Sequence, residues 1–306
     1  MHSAAMTPAP DPDGPPAGDG ISIRDASQLL QIPAATIRSW ERRYGVPPTG
    51  RSTGGHRRFS PADLLALRRL RDEISRGRRA ADAAVLVKEA AASPSPYQGL
   101  IDDFLQAAHR LDPRGADALL EHARERLGVD IAVAGVLLPA MRQIGQWWES
   151  GRCDVAHEHL ATEACRAWLN RLLYTGPAPW QPETLLLTCG PRDFHTLGLE
   201  SMGVLMAHRG WGCRILGART PAGSLVTAVQ GTGAAAVIMV SHLAVGRRQA
   251  VGALNTVQSS KVVLFYAGNA FISPQSRVGV PGDYLGEDLI QAAESVAAKL
   301  LDVRRA

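Results

Sequence analysis

Two hydrophobic rhythms divide this chain, and the change between them at residues 176–182 (GPAPWQP) constrains the fold more than any other feature. Beyond it, short apolar runs alternate with helical stretches: 184–189, a helix from Gly198, 213–216, a helix near 224–230, 235–240, another helix, 262–266, and a last helix from Asp288. That alternation predicts a parallel sheet with helices on both faces. Before it, from Tyr97 to Tyr174, apolar residues recur at helical spacing, as in Leu100, Phe104, Leu105 and Ala108, then Leu119, Leu120 and Ala123. Breaks at Asp112–Pro113, Gly128 and Gly151 divide this stretch into about four helices. A second linker, residues 90–96 (AAASPSP), sets off an N-terminal segment of short helices broken at Pro33 and at the Gly/Pro-rich stretch 45–55. A chain of 306 residues is long enough for two or three cores.

The expected organisation is therefore multidomain α and α/β. Residues 1–20, rich in Pro, Gly, Asp and Ala, form a disordered tail; residues 21–90, 97–176 and 182–303 form three domains. The tail lacks a basic start followed by an apolar stretch, and runs such as 234–240 are far shorter than a membrane span of roughly 20 residues. A soluble cytoplasmic protein without membrane partners is expected. The four cysteines, Cys153, Cys165, Cys189 and Cys213, contain no C-x-x-C pair, which argues against a disulfide framework and a zinc knuckle. They read as reduced, mostly buried thiols.

Charge is unevenly placed. Residues 21–89 hold 14 Lys and Arg against 7 Asp and Glu, leaving 19 against 22 for the rest. A basic module joined to a faintly acidic body suits a nucleic-acid-binding head, although a solvated surface would show the same balance. Within the head, a helix carrying Ala26, Leu29 and Leu30 is followed by a tight turn and a second helix from near Ala34. On that second helix Ile37 and Trp40 pack inward, leaving Arg38, Arg42 and Arg43 to reach bases or phosphates. The stretch 47–59 combines a Gly pair with Arg51, His56, Arg57 and Arg58, a composition suited to a small wing presenting cations to a phosphate backbone. The ordered set T-I-R-x-W-E-R-R-Y-G from Thr36, G-G-H-R-x-F from Gly54 and D-L-x-x-L from Asp63 resembles the winged helix-turn-helix head of the MerR family. The resemblance implies that Arg38, Arg42, Arg43, Arg51, His56, Arg57 and Arg58 face double-stranded operator DNA. The stretch 80–92 runs directly into Ser-Pro-Ser-Pro, so the long dimerisation helix usual after such heads is absent and assembly must be organised elsewhere.

The motif Asp193-x-His195-x-x-Gly198 stands directly between the strand 184–189 and a helix, at the carboxyl edge where parallel sheets bind ligands. His195 can project from that edge toward a flat ligand. Asp193 can accept from its other ring nitrogen, fixing the tautomer, and Gly198 lets the loop turn closely. In this position the motif resembles that of the Rossmann-like cobalamin-binding domain of methionine synthase and the cobalamin mutases. The resemblance implies His195 as the lower ligand of cobalt, with Ser241, Leu243 and Gly268 lining a slot for the displaced nucleotide tail; the usual Gly-Gly after the fourth strand is Ala267-Gly268. A cofactor-free flavodoxin-like domain is the bland alternative.

In the helical segment, Trp148, nine intervening residues and Glu158-His159 place an aromatic plate and a carboxylate–imidazole pair on two helices joined by a turn. This W-x9-E-H pattern is similar to that of the light-sensing CarH and LitR type regulators. It implies a four-helix bundle capping the upper face of the cobalamin, with Trp148, Val155, Glu158 and His159 around the 5′-deoxyadenosyl group of adenosylcobalamin. Where regulators of that type carry a histidine after the tryptophan, as an upper cobalt ligand in the light-exposed form, this chain has Glu149. The resemblance implies a non-enzymatic, light-responsive repressor. It would bind DNA as a homo-tetramer with adenosylcobalamin in the dark and release it on photolysis of the cobalt–carbon bond. A light-independent sensor of cobalamin status and a cobalamin carrier module of an enzyme are the alternatives.

Overall fold

The computed structural model describes residues 21–47, 58–59, 61–92, 95–149 and 151–305. The chain divides into two units, Met1–Ser93 and Pro94–Ala306.

In the first unit, helices α1 (Ile23–Leu30), α2 (Ala34–Tyr44), α3 (Pro61–Ser75) and α4 (Ala80–Ala92) enclose two small cores. Ser22 starts α1 through a capping box, its Oγ accepting from the Asp25 N–H while the Asp25 carboxylate accepts from the Ser22 N–H. Gln31 then takes a left-handed conformation that ends α1, and Pro33 sets the start of α2. Ala26, Leu30, Ile32, Ile37, Phe59 and Leu67 form one core, and Val46, Leu70, Ala83, Ala84 and Val87 the other; Trp40 packs against both. Leu29, on the outer face of α1, is exposed. An antiparallel bridge between Ile21 and Phe59 ties the start of the described chain to the segment just ahead of α3.

The second unit begins with a bundle: α5 (Gln98–His109), α6 (Pro113–Leu127), α7 (Val129–Ile131), a π-helical segment (Ala132–Leu137) leading into α8 (Leu138–Glu149), and α9 (Val155–Thr175). Asp112 caps α6, its carboxylate accepting from the Gly115 N–H at 2.9 Å just after Pro113. The π-helical segment, invisible to a 3.6-residue pattern, holds Gly135, where a Cβ would stand 2.9 Å from the Tyr97 ring. Trp168 of α9 is fully buried, and its indole N–H donates to Glu121 Oε2 at 3.0 Å.

There follow β1 (Thr184–Cys189), α10 (Leu197–His208), β2 (Gly212–Gly217), α11 (Ala222–Thr232), β3 (Ala236–Val240), α12 (Arg247–Gln258), β4 (Val263–Ala267), α13 (Pro274–Arg277), β5 (Asp283–Tyr284) and α14 (Leu289–Arg305). The strands form one parallel sheet in the order β2-β1-β3-β4-β5. The two-residue β5 was not legible as a strand, being shorter than any periodicity can report.

Alternation along the strands assigns the two faces. Leu185, Leu187, Cys189, Ile238, Val240 and Phe265 share a core with the bundle, α10 and α14; Leu186, Val237, Met239, Leu264 and Tyr266 pack against α11 and α12. One continuous apolar core therefore joins the bundle to the sheet. The chain leaves β1 for β2 on one side and reaches β3 on the other, so the topological switch point lies between β1 and β3.

Candidate functional site

The segment after β1 delivers Asp193 and His195 to that switch point. Asp193 is fully buried, its N–H donating to Gly190 O at 3.0 Å and its own carbonyl accepting from the Arg219 N–H at 3.0 Å. Its carboxylate gathers two loops. Oδ1 accepts from the His195 N–H at 2.9 Å and lies 2.8 Å from His195 Nδ1; Oδ2 accepts from the His242 N–H and, at 3.4 Å, from the Leu243 N–H. Burial opposes ionisation of this carboxyl, but the bonds from His195 and His242 outweigh it and hold Asp193 well below the usual carboxylate range. The same bond raises the His195 pKa, and the Glu158 carboxylate adds to the rise by its charge. The His195 side chain is 57% exposed, with Nδ1 committed to Asp193 and no hydrogen bond to Nε2 among the described residues. Such an imidazole is oriented and made more basic for a metal at Nε2.

Beneath this loop Ser241, also fully buried, has a hydroxyl without a hydrogen-bond partner in the protein. Glycines surround it. A Cβ at Gly268, where φ is +104°, would stand 2.3 Å from Ser241 O; one at Gly246 would stand 3.4 Å from Ser241 Oγ, and one at Gly190 3.1 Å from Ala250 Cβ. The backbone geometry of Gly268 excludes other side chains on both grounds. An orphaned buried hydroxyl among close-packed glycines at a sheet's carboxyl edge is suited to receive a polar group inserted from outside. Gly198 differs: no protein atom lies within 4 Å of where its Cβ would stand, so the chain's own packing does not require glycine there. Phe194, Leu243 and Val245 expose apolar surface around the mouth.

On the bundle, Trp148, the last residue but one of α8, has half its surface exposed, and Val155 opens α9, exposed as well. The Asp154 carboxylate caps α9 by accepting from the Ala156 N–H at 2.9 Å. Glu158 accepts from Thr162 Oγ1 at 2.9 Å and lies 3.6 Å from Nε2 of the exposed His159. His157 turns elsewhere, its ring stacked on His109 of α5 at 5.6 Å. Glu149 is the last residue of α8, and its side chain is outside the described residues. A cleft of about 430 Å³ between α5 and the end of α8, lined by Leu105, His109, Arg110, Trp147 and Arg152 among others, contains none of Trp148, Val155, Glu158 and His159. The donor chemistry, not the open volume, locates the site.

Sequence reasoning missed two neighbours. The His242 ring stands edge-on to His195 with centroids 5.5 Å apart, and the Arg219 guanidinium lies 5.0 Å over the Phe194 ring. Neither carries a local signature, since both depend on pairing of segments far apart in sequence. Among the described residues no group of three or more His, Cys, Asp or Glu could hold a bare metal ion. Cys165 and Cys189 are buried thiols, Cys153 and Cys213 partly so, and burial pushes Cys189 and Cys213 up to about 12. No helix among the described residues is long and apolar enough to cross a membrane.

In the head, Arg38, Arg42 and Arg43 are exposed on α2 while Ile37 is buried on the opposite side, and Arg58 is exposed beside the Phe59 bridge. Arg51, His56 and Arg57 lie outside the described residues.

Comparison with known proteins divides the chain along the same lines. Residues 21–89 match the model of the MerR HTH family regulatory proteins, and residues 100–173 that of a B12 binding domain. The HTH-type transcriptional repressor CarA of Myxococcus xanthus is 34% identical over 209 residues, covering 67% of this chain and 70% of that protein. The repressor CarH of the same organism is 29% identical over 221 residues, covering 68% and 74%. Among solved structures, the Methanosarcina barkeri monomethylamine corrinoid protein superposes with a TM-score of 0.56 at 15% identity, covering 67% of this chain and 99% of that one, a likeness of fold.

Proposed function

Since the chain belongs to the family of MerR-type, B12-domain transcriptional repressors that includes CarA and CarH, we propose that it binds operator DNA under the control of adenosylcobalamin and of light. Membership itself makes it a DNA-binding transcriptional regulator and not an enzyme. The finer reading assigns DNA contact to residues 21–90, the upper cap to 97–176 and the cobalamin seat to 182–303.

The observation that carries this reading is the fully buried Asp193, which fixes His195 through Nδ1 and backbone and leaves Nε2 uncommitted at the sheet's ligand edge. His195 would hold cobalt from below, with Ser241, Leu243 and Gly268 receiving the nucleotide tail and Asp193 and Gly198 shaping the loop. Trp148 would shield the adenosyl group, Val155 would provide an apolar wall, and Glu158 and His159 would meet its ribose hydroxyls or adenine amine. When bound, adenosylcobalamin supplies a cobalt–carbon bond that visible light cleaves. The protein's part is to hold the bundle against the sheet while adenosyl fills the space between them, and to favour a tetramer in that state. Several heads on one assembly raise operator affinity through effective concentration, so loss of the assembly loses the operator. Arg38, Arg42, Arg43, Arg51, His56, Arg57 and Arg58 are assigned to the DNA face.

The test is an absorption spectrum, sedimentation profile and operator titration of the purified chain with adenosylcobalamin, before and after green light. We expect a tetramer that binds operator in the dark, a changed spectrum and dissociation after light, and loss of cofactor binding in His195→Ala. Cobalamin binding by His195→Ala with an unchanged spectrum would refute the ligand assignment. Glu149 favours a second reading, in which cofactor presence rather than light is the signal, because this carboxylate is a poorer cobalt(III) ligand than imidazole at the position expected to secure the light-exposed form. Dark assembly with methylcobalamin equal to that with adenosylcobalamin, and no effect of light, would decide for it. A Glu149→His variant that gains a bis-imidazole spectrum after light would show that the position faces cobalt.

A further inference from the structure

The face of α9 that carries Glu158 continues through Thr162 and Arg166, spaced i, i+4 and i+8, as a polar stripe about 12 Å long. Its first member acts on His195 by charge. Its last reaches the residues on the far side of the same loop. Arg166 Nε lies 3.2 Å from Glu200 Oε1, Nη2 donates to Thr196 Oγ1 at 3.3 Å, and Nη1 donates to Glu163. Thr196 directly follows His195, and its carbonyl accepts from the Glu200 N–H at 2.8 Å as α10 begins. Glu200 is buried, and its second carboxylate oxygen, Oε2, has no partner in the protein.

We propose that Arg166 is a positioning residue that couples the placement of the bundle to that of the His195 loop. The inference rests on the cobalamin reading above and adds the physical link between its two halves. The planar guanidinium holds Glu200 and Thr196 through separate N–H groups of one rigid plane, a fixed geometry that the single, flexible ammonium of lysine does not reproduce. Any shift of α9 along or away from the sheet must therefore carry the start of α10 with it or leave the buried Glu200 carboxylate without its cation, which is strongly disfavoured. Occupancy on the bundle side is thereby sensed at His195, and coordination by His195 is sensed by α9; linkage makes the effect reciprocal.

The experiment measures dark affinities of the full chain for adenosylcobalamin and hydroxocobalamin, with the absorption signature of coordinated His195 recorded in each complex. Wild type is compared with Arg166→Lys, with the double variant Arg166→Met/Glu200→Gln, and with Arg171→Met. The double variant removes the buried charge together with its cation, so the unit remains folded. Arg171 pairs with Asp117 within the bundle and is the control. The expected result is that the ratio of the two affinities falls by at least about fivefold in both Arg166 variants, His195 still being coordinated, while Arg171→Met stays within about twofold of wild type. An unchanged ratio in both Arg166 variants, an equal fall in Arg171→Met, or a wild type that binds both forms equally overturns the coupling while the cobalamin reading stands. A wild type that binds neither form, or binds without a His195-dependent spectrum, overturns that reading and the coupling with it.

Discussion

Replacing Asp193 by alanine removes a single carboxylate that organises the segments after both β1 and β3. The residue is fully buried, and four donors converge on it: His195 Nδ1 at 2.8 Å, the His195 N–H at 2.9 Å, the His242 N–H, and the Leu243 N–H at 3.4 Å. Alanine supplies no acceptor, so the two nearer backbone donors, on His195 and His242, lose their partner at about 1–3 kcal/mol each. The imidazole returns to solvent, and the expected loss is about 3–5 kcal/mol. Against a typical total of about 5–15 kcal/mol this is a large fraction. With a urea slope of about 2–3 kcal/mol per molar, the midpoint should fall by about 1–2 M. Urea unfolding followed by tryptophan fluorescence reads it directly, because Trp168 and Trp211 are fully buried in the second unit. The pH dependence of the wild-type advantage follows from the two shifts. Asp193 has a lowered pKa, so its contribution is present above the ordinary carboxylate value of about 4 and is lost as pH falls toward the folded value. His195 has a raised pKa, so its contribution is complete below the ordinary imidazole value of about 6.5 and is lost as pH rises through the folded value. The difference between wild type and variant should therefore be greatest between about pH 5 and 6. A midpoint shift below about 0.5 M, or a difference that does not change between pH 5.5 and 9, refutes the reasoning.

Two further outcomes follow from the same structure. Ser241→Ala should leave the cofactor-free protein within about 0.5 kcal/mol of wild type or slightly more stable, since the buried hydroxyl it removes has no partner, yet should weaken cobalamin binding by about tenfold; urea unfolding and cofactor titration measured side by side separate the two effects. Arg42→Gln/Arg43→Gln should weaken binding to specific and random duplexes alike and lower the slope of log affinity against log salt by about 2, as read by fluorescence anisotropy over a salt series.

The pattern of the sequence was sufficient for the order and type of almost every element, because those follow from local periodicity and local stops. The β1 strand of residues 184–189, the second head helix from Ala34, and the breaks at Asp112–Pro113, Gly128 and Gly151 all coincide with structural boundaries. The π-helical turn at Ala132–Leu137 and the strand Asp283–Tyr284 did not show, the first because it keeps helical character with an altered repeat and the second because two residues have no period. The pairing of Asp193 with His195 was legible for the same reason as the helices: two residues of separation bring them together whatever the rest of the chain does. His242, which meets the same carboxylate from 49 residues away, the Arg219–Phe194 stack, and the grip of Arg166 on Thr196 and Glu200 were decided only when β1 paired with both β2 and β3 and α9 packed on α10. Sequence alone thus singled out the candidate residues for the chemistry. Tertiary structure decided which of them share one electrostatic environment, because burial and long-range proximity, which set hydrogen-bond partners and pKa values, leave no trace in a short window of sequence.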